Sequence, residues 1–546
     1  MNFADESGSE DGVLERNSKK AAGGKSGLRY SQQLLDELEK RRHKALELGG
    51  SSNVERQHSQ GKLTARERID LLCDPGSFME FGMLANHMDP QLAAAGKDAP
   101  ADGVICGLGK LEGRPVAVCA YDFTVMAGSM GNVGEQKVAR LRELSLRQKI
   151  PFIWLLDSAG ARIQQGVGST FAAAGALFKE QVVMSGVVPM VAAVMGPCAA
   201  GTAYIPALAD VVFMVANTGS MALGGSHLVR AAVGEEISDY EMGGPQIHCR
   251  ISGCADLELP DDVSCLSAIR DYLSYFPSCN LEDPPVAPCD DPVDRLCDEL
   301  LSIVPSDPKE VYDVYDVIEV IVDSGSYFPI KPDFAQNIVT VLARMGGRPV
   351  GIVASQPSVM GGALDNDAAD KAARFVWLCD AFSIPLVFLQ DVPGFLVGSE
   401  VEKQGIIRHG AKMLYAVSEA TVPKVTVVMR KAYGAGYFVM NGRAYEADFI
   451  VAWPTAEISV MGPEGAVNII FRKEIAAAPP EEQDKIREQK IEWVRKSIDP
   501  YVAAGHAHVD DVIRPEETRK VIIKALELSV RKTLDRPWKK HGVIPV

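Results

Sequence analysis

Several patterns that commonly mark a function are missing from this sequence. The 11 cysteines never form a Cys-x-x-Cys pair, so neither a zinc ribbon nor a disulfide framework is indicated, and we expect reduced thiols. No metal-ligand spacing, Gly-x-Ser-x-Gly motif, Walker motif or Rossmann glycine pattern occurs, which predicts no bound metal and no nucleotide hydrolysis. The net charge of -16 disfavours nucleic acid and anionic membranes as main partners.

The N-terminal residues lack the basic and apolar character of targeting segments. MNFADESGSEDG is acidic, which predicts no leader, no membrane anchor and a cytoplasmic protein. Residues 1–28 contain few large apolar groups, so we expect a mobile tail.

One long stretch lacks charge. Residues 189–210 carry no charged side chain before the last, and their length alone suggests a membrane span. Three prolines argue against a continuous helix, because each removes a backbone donor and clashes with the preceding turn. We predict instead a buried strand over residues 190–195, ended by Gly196-Pro197, and then a turn at Ala199-Ala200-Gly201. Its small side chains fit either a ligand-approach site or a tightly packed turn.

The sequence repeats itself at an offset of 234 positions, the separation of Gly113 and Gly347. The same offset, without a gap, places Ile150-Pro151 on Ile384-Pro385, Asp157 on Asp391, Gly160 on Gly394 and Val188-Pro189 on Val422-Pro423. Such consistent self-similarity indicates an internal duplication. The second copy of the uncharged stretch contains Arg430 and Lys431 near its middle, which argues against a membrane span.

Apolar strands alternate with amphipathic helices in both copies, which predicts an α/β fold of two tandem domains. We expect an N-terminal domain over residues 29–285, a linker over 286–308 and a C-terminal domain over 309–546. The matched turns suggest two similar sites, or one site built from both turns. Their useful groups would be main-chain N–H donors, which stabilise an oxyanion.

Other candidate side chains carry weaker signals. Asp157 and Asp391 each follow an apolar strand, where we expect them mainly to cap the next helix. Ser158 has no evident His or Asp partner for a nucleophilic role. His227 and His248 are expected to lie on the surface or to be hydrogen-bonded in the core.

Motifs distributed over the chain resemble one enzyme family. They are RQHSQGKLTARERIDLLCDPGSFMEFG, DSAGARIQQG, GPCAAGTAY, DVPGFLVG, GIIRHGAKMLYA, RKAYGAGY and WPTAEISVMGPEGAVNI. From about residue 30 onward the chain resembles the carboxyltransferase (β) subunits of biotin-dependent acyl-CoA carboxylases, which act on propionyl-, acetyl- or methylcrotonyl-CoA.

The resemblance implies two crotonase-like domains of the ClpP/crotonase superfamily with β-β-α units. It places the acyl-CoA thioester oxygen on the N–H groups of Ala200 and Gly201, beside Ala199. It places the ureido oxygen of biotin on Ala435 and Gly436, beside Gly434. The strict repeat offset would instead pair Ala200 and Gly201 with Gly434 and Ala435. Ala200 would be strained if its position requires a positive φ.

The family's reaction moves a carboxyl group from carboxybiotin to the α-carbon, or vinylogous γ-carbon, of an acyl-CoA. No side-chain base is needed, because the ureido nitrogen of biotin removes the acyl α-proton. The chain contains neither an ATP-grasp domain nor a biotin-accepting Met-Lys-Met, so a biotin carboxylase and biotin carrier (α) subunit is the expected partner. A hexamer built as a trimer of dimers is also implied, with each site formed between two subunits.

Two alternatives remain open. A biotin-dependent decarboxylase or transcarboxylase subunit would use the same site, and a non-catalytic CoA-binding assembly subunit would use only part of it. The acyl group also remains open, because Phe438 resembles the aromatic of methylcrotonyl-type members where propionyl-type members carry an acid. HCRISG and NGRAY favour methylcrotonyl, whereas GIIRHGAKMLYA favours propionyl and acetyl. Phe438 either lines the acyl pocket or packs in the core.

Overall fold

The structure is a computed structural model that describes residues 30–546. The tail predicted for residues 1–28 lies outside this range. Two eight-stranded sheets, one in each half of the chain, form the framework. Within the described range, no helix is both long enough and apolar enough to span a membrane.

The first sheet has the strand order β1-β2-β3-β4-β5-β6-β8, with β7 beside β5. Its strands are β1 (Met79–Glu80), β2 (Val104–Leu111), β3 (Arg114–Tyr121), β4 (Phe152–Ser158), β5 (Met190–Ala199), β6 (Val211–Val215), β7 (Ser220–Ala222) and β8 (Leu257–Leu259). The β2–β3 hairpin is antiparallel, whereas β3, β4, β5 and β6 run parallel. The parallel strands are buried on both faces, which explains their continuous apolar sequences.

The second sheet repeats this order as β9-β10-β11-β12-β13-β14-β16, with β15 beside β13. Its strands are β9 (Phe328–Ile330), β10 (Ile338–Met345), β11 (Arg348–Ser355), β12 (Leu386–Val392), β13 (Lys424–Tyr433), β14 (Phe449–Ala452), β15 (Glu457–Ser459) and β16 (Asp511–Val512). Strands β2 to β5 and their counterparts β10 to β13 begin at the predicted offset. The duplication is therefore structural as well as sequential.

Helices cover the sheets in both halves. In the first half they are Gln32–Leu46, Ser51–Ser59, Ala65–Leu72, Pro90–Ala94, Asn132–Gln148, Ile163–Gly166, Ala176–Met184, Tyr204–Ala207, Ser226–Val233, Asp239–Gly243, Pro245–His248 and Asp262–Ser274. In the second half they are Leu300–Ile303, Val314–Ile321, Asn366–Ala381, Ser399–Lys403, Ile406–Glu419, Gly434–Val439, Pro463–Ile470, Arg472–Ala477, Gln483–Ile498, Pro500–Gly505 and Thr518–Ser529.

Both halves contribute to the largest hydrophobic core. Tyr272 contacts Phe328 with a ring-centroid separation of 6.1 Å, and Phe276 contacts Phe382 at 5.5 Å. The domain boundaries at residues 285 and 308 stay predictions.

The uncharged stretch folds as a strand, a turn and a short helix, as predicted. The predicted strand end at Gly196-Pro197 is wrong, because β5 continues to Ala199. Pro197 is accommodated where β5 passes from its pairing with β6 to its pairing with β7, opposite Ser220. A strand position beside a change of partner tolerates the missing N–H.

Candidate active site

The two central strands end in turns of matching backbone conformation. Ala200, which starts a 3-10 turn (Ala200–Ala203), and Gly434, which starts a helix, both have φ of 56°. The residues before them, Ala199 and Tyr433, are extended with φ of -114° and -111°. The structural correspondence is therefore Ala200 with Gly434, and Gly201 with Ala435.

Both turns present main-chain donors. The first N–H groups of a helical turn have no carbonyl partner within it, so they remain available to an acceptor outside the backbone. Ala200 and Ala435 are exposed, and Gly201 is half-buried. An added Cβ at Gly201 would meet nothing closer than 3.8 Å, so packing does not require a glycine there. Because each turn combines N–H groups that lack a partner within the turn with an exposed residue, each can hold an oxyanion.

The second turn has an additional packing constraint at Gly436. A Cβ there would lie 2.9 Å from the Val392 side chain and 3.1 Å from the Gly394 Cα. The glycine is therefore required for close packing, whatever its N–H binds. That Ala435 and Gly436 are the two N–H donors stays a prediction. The repeat offset gives Gly434 and Ala435 instead, so Ala435 belongs to both possible donor pairs.

Glycines of the preceding loops pack against both turns. Gly160 has φ of 95°, and a Cβ there would lie 2.7 Å from the Ala199 carbonyl oxygen. Gly394, its repeat partner, has φ of 120°, and a Cβ added there would lie 3.7 Å from the Tyr433 carbonyl oxygen. The chain thus holds each turn with the same arrangement of loops.

Behind each turn lies a buried aspartate, which does not cap a helix as predicted. Asp157 accepts hydrogen bonds from Gln57 at 2.8 Å and from Lys62 and Arg68 at 3.1 Å. Burial lowers the pKa of Lys62 even though it is bonded to Asp157. The capping prediction fails because a buried carboxylate needs a cation more than a helix N–H, and Lys62 and Arg68 supply one.

The second aspartate obtains its cation differently. Asp391 accepts from Arg430 Nε at 2.7 Å, from the Tyr312 hydroxyl at 3.2 Å and from the Lys431 N–H at 3.2 Å. The repeat partner of Arg430 is Gly196, where a Cβ would lie 2.0 Å from Asp157 Oδ1. No side chain fits there, so the first half uses cations from its N-terminal helical segment.

The remaining polar candidates have structural roles. The buried Ser158 hydroxyl donates to the Gly128 carbonyl at 2.7 Å and accepts from the Gly160 N–H at 3.2 Å, which leaves no base beside it. His227 is exposed, and the half-buried His248 hydrogen-bonds to the Met221 carbonyl. No group of three or more metal-ligating side chains was found among residues 30–546.

Sequence reasoning missed Arg162. Its buried guanidinium contacts the Asp102 carboxylate and donates to the Ser129 carbonyl at 3.1 Å, which fixes the loop that carries Gly160. Its repeat partner is Leu396, and this difference between the copies was the available signal.

Phe438 lies beside the second turn and is 43% exposed. Its ring centroid lies 5.7 Å from that of Tyr437 and 6.0 Å from that of Tyr445. This exposure excludes the core-packing alternative in the single chain.

The comparisons with known proteins all identify the same family. A family model described as the carboxyl transferase domain matches residues 56–544. The propionyl-CoA carboxylase carboxyltransferase subunit of Haloferax mediterranei is 47% identical over 94% of this chain and 99% of that protein. The methylmalonyl-CoA carboxyltransferase 12S subunit of Propionibacterium freudenreichii subsp. shermanii is 48% identical over 91% of this chain and 94% of that protein.

A solved structure of a relative has the same fold. Transcarboxylase 12S, described as a hexamer with methylmalonyl-coenzyme A and methylmalonic acid bound, superposes with a TM-score of 0.91 at 46% identity. The superposition covers 96% of this chain and 100% of that chain. With matches of this length and identity, the chain belongs to the carboxyltransferase subunits of the biotin-dependent acyl-CoA carboxylase family.

Proposed function

We propose that this subunit transfers a carboxyl group from carboxybiotin, carried on a partner subunit, to the α-carbon of a short-chain acyl-CoA. The observation that carries the proposal is the pair of turns that start with the same φ of 56° and that each contain an exposed residue, Ala200 in the first and Ala435 in the second. A reaction through two oxyanions requires two such donor sets.

The first turn acts on the acyl-CoA. The N–H groups of Ala200 and Gly201 hold the thioester oxygen, and Ala199 lies against the acyl-CoA. When the α-proton leaves, negative charge develops on that oxygen. Each preorganised donor lowers the barrier by about 3 kcal/mol, as in other oxyanion holes.

The second turn fits the biotin side. A ureido oxygen needs N–H donors rather than a cation or acid, and the start of helix Gly434–Val439 offers them without a charged side chain in the turn. Carboxybiotin supplies the carboxyl group when it is bound. Ala435 donates to the ureido oxygen, together with Gly434 or Gly436, and so stabilises negative charge there.

A homo-oligomer, a hexamer arranged as a trimer of dimers, completes the site. The transcarboxylase 12S structure is described as a hexamer. In this chain, Val397, Ile407 and Val460 are at least 75% exposed in the second half, and Val167 is exposed to the same extent in the first. These side chains lie on the surface of the single chain, where a further subunit could contact them.

Propionyl-CoA is the proposed acyl substrate, because relatives that match over 94% of this chain include propionyl-CoA carboxylases. Phe438 lines the acyl side of the pocket and tunes its polarity. The assay combines the purified chain with a biotin carboxylase and biotin carrier subunit, ATP and labelled bicarbonate, and compares acetyl-, propionyl- and methylcrotonyl-CoA. Carboxylation of none of the three acyl-CoAs would contradict the proposal.

Transcarboxylation is a second candidate, because the 12S relative is as similar as the carboxylases. The test omits ATP and supplies methylmalonyl-CoA with free biotin. Carboxylation of biotin would exclude a non-catalytic assembly subunit under either candidate. Dependence of the full reaction on ATP then distinguishes a carboxylase from a transcarboxylase.

A further inference from the structure

A buried glutamine contacts the short helix that belongs to each turn. Gln181 donates from its side-chain nitrogen to the Ile205 carbonyl at 3.1 Å. Gln390 donates to the Met440 carbonyl at 2.6 Å and to the Tyr437 carbonyl at 3.4 Å. Both glutamine side chains are fully buried. Because the last carbonyls of a helix have no partner within it, each glutamine supplies a donor at the end opposite the proposed oxyanion donors.

The orientation of the two amides follows from their partners. A carbonyl oxygen only accepts hydrogen bonds, so the amide nitrogen of each glutamine must face it. The amide oxygen of each glutamine has no hydrogen-bond partner among the described residues. Each glutamine therefore satisfies a helix carbonyl but leaves its own oxygen unpaired, so its net contribution to stability is small. This balance directs attention to what the contact does for the helix.

The two glutamines are not copies of each other. The offset of 234 positions pairs Gln181 with Tyr415 and Gln390 with Leu156. The first glutamine belongs to helix Ala176–Met184, whereas the second belongs to β12. The two halves reach the same contact from different elements, which indicates a requirement of the turns themselves.

The element that carries each glutamine also contacts the donor end of the short helix. In the first half, the Phe178 ring of helix Ala176–Met184 lies 3.8 Å from a Cβ built on Gly201. In the second half, the Val392 side chain of β12 lies 2.9 Å from a Cβ built on Gly436. One helix and one strand therefore each contact a short helix at both ends, which fixes its direction.

The short helices depend on such contacts for their orientation. Tyr204–Ala207, which continues the turn Ala200–Ala203, has 4 residues, and Gly434–Val439 has 6. Helices of this length are not stable alone. A six-residue helix is about 9 Å long, so a tilt of about 6° about its carbonyl end moves its donor N–H groups by about 1 Å. A displacement of that size can slow a reaction by about 100-fold.

We propose that Gln181 and Gln390 are positioning residues, an inference that rests on the proposed function. Gln181 orients the donors that hold the acyl-CoA thioester oxygen, and Gln390 orients the donors that hold the ureido oxygen of biotin. Each acts through its short helix and touches neither substrate. The two residues should therefore affect different substrates, although they are equally buried and make the same type of hydrogen bond.

The substitutions Gln181→Met and Gln390→Met form a matched pair, because methionine keeps the side-chain length and removes the N–H donor. The assay is methylmalonyl-CoA-dependent carboxylation of free biotin by the intact protein, with each substrate varied in turn. Gln390→Met should raise the KM for biotin about 5-fold and keep the KM for methylmalonyl-CoA within about 2-fold of wild type. Gln181→Met should do the reverse. The kcat should fall by about 10-fold to 100-fold in both variants.

The pattern of KM values separates positioning from a general structural role. Similar changes in both KM values, or unchanged kinetics in either folded variant, would overturn the inference while leaving the proposed function intact. A wild-type protein that is inactive in this assay would instead refute the proposed function, and the inference with it.

A second substitution tests the donor directly and covers the case in which Gln390→Met does not fold. Gln390→Glu keeps the shape of the side chain, and burial beside carbonyl oxygens should raise the pKa of its carboxyl group. The protonated acid can donate to the Met440 carbonyl, whereas the carboxylate cannot. Relative to wild type at the same pH, the KM for biotin should therefore be near normal at about pH 6 and raised at about pH 9. A ratio of KM values that stays constant with pH would overturn the donor role of Gln390.

Discussion

Ala200 pays a conformational cost that its repeat partner avoids, and this cost can be measured. Both residues have φ of 56°, but one is alanine and the other glycine. The substitution Ala200→Gly should relieve the strain and retain the N–H group. Ala203 provides a matched control, because it lies in the same turn with φ of -68° and ψ of -22°.

The two alanines should respond with opposite signs. An L-residue in the left-handed region costs about 1–2 kcal/mol, whereas glycine gains about 0.4–1 kcal/mol of unfolded-state entropy. Ala200→Gly should therefore change the free energy of unfolding by between about 0 and +1.5 kcal/mol. Ala203→Gly has no strain to relieve and loses a buried methyl, so it should cost about 1.5 kcal/mol.

The assay is denaturant unfolding at one fixed subunit concentration, because association makes the midpoint concentration-dependent. Carboxyl transfer should stay within a few-fold of wild type in Ala200→Gly, since the donor is kept. The reverse change, Gly434→Ala, should destabilise the protein, because its Cβ would lie 3.0 Å from the Val460 carbonyl oxygen. If Ala200→Gly cost as much as Ala203→Gly, the assigned strain would be refuted.

Three further perturbations test other parts of the structure. Phe438→Asp should change the order of preference among acetyl-, propionyl- and methylcrotonyl-CoA, and an unchanged order would remove Phe438 from the acyl pocket. Arg430→Met should destabilise the protein by about 3–5 kcal/mol by leaving Asp391 without its closest cation, and adding Asp391→Asn should recover much of that loss in the same unfolding assay. Burial lowers the pKa of Lys371 to about 7. Above that pH the unfolded chain binds one proton more than the folded chain. The free energy of unfolding should therefore rise by about 1 kcal/mol per pH unit from pH 7 to 9. Lys371→Met should flatten this rise, and an unaltered slope would contradict the assignment.

The fold was largely predictable because its strongest signals are local or repeated. The offset of 234 positions identified both copies, and buried parallel strands produce continuous apolar runs such as residues 150–156. The small side chains at positions 199–201 predicted the position of the first turn. The strand extension through Pro197 was not predictable, because it depends on pairing with a strand more than 20 residues away.

The electrostatic framework behind the turns could not be read from sequence. Asp157 is paired with Lys62 and Arg68, about 90 residues earlier, and local sequence offers only the helix-cap interpretation. Similarly, sequence left the pairing of the two turns uncertain by one residue. Backbone conformation identifies the correspondence, because Ala200 and Gly434 share a left-handed φ. The sequence does not indicate this conformation at position 200, because alanine rarely adopts it.

The most direct test of the two-turn mechanism removes one main-chain donor. Ala435 is exposed, belongs to both possible donor pairs and lies in the first turn of helix Gly434–Val439, where proline is tolerated. Ala435→Pro deletes this N–H, and Ala435→Ser keeps it as the matched control. The measurement is methylmalonyl-CoA-dependent carboxylation of free biotin by the folded variants. The account predicts a loss of about 100-fold or more in kcat for Ala435→Pro and near-normal activity for Ala435→Ser. Near-normal activity in Ala435→Pro would contradict it.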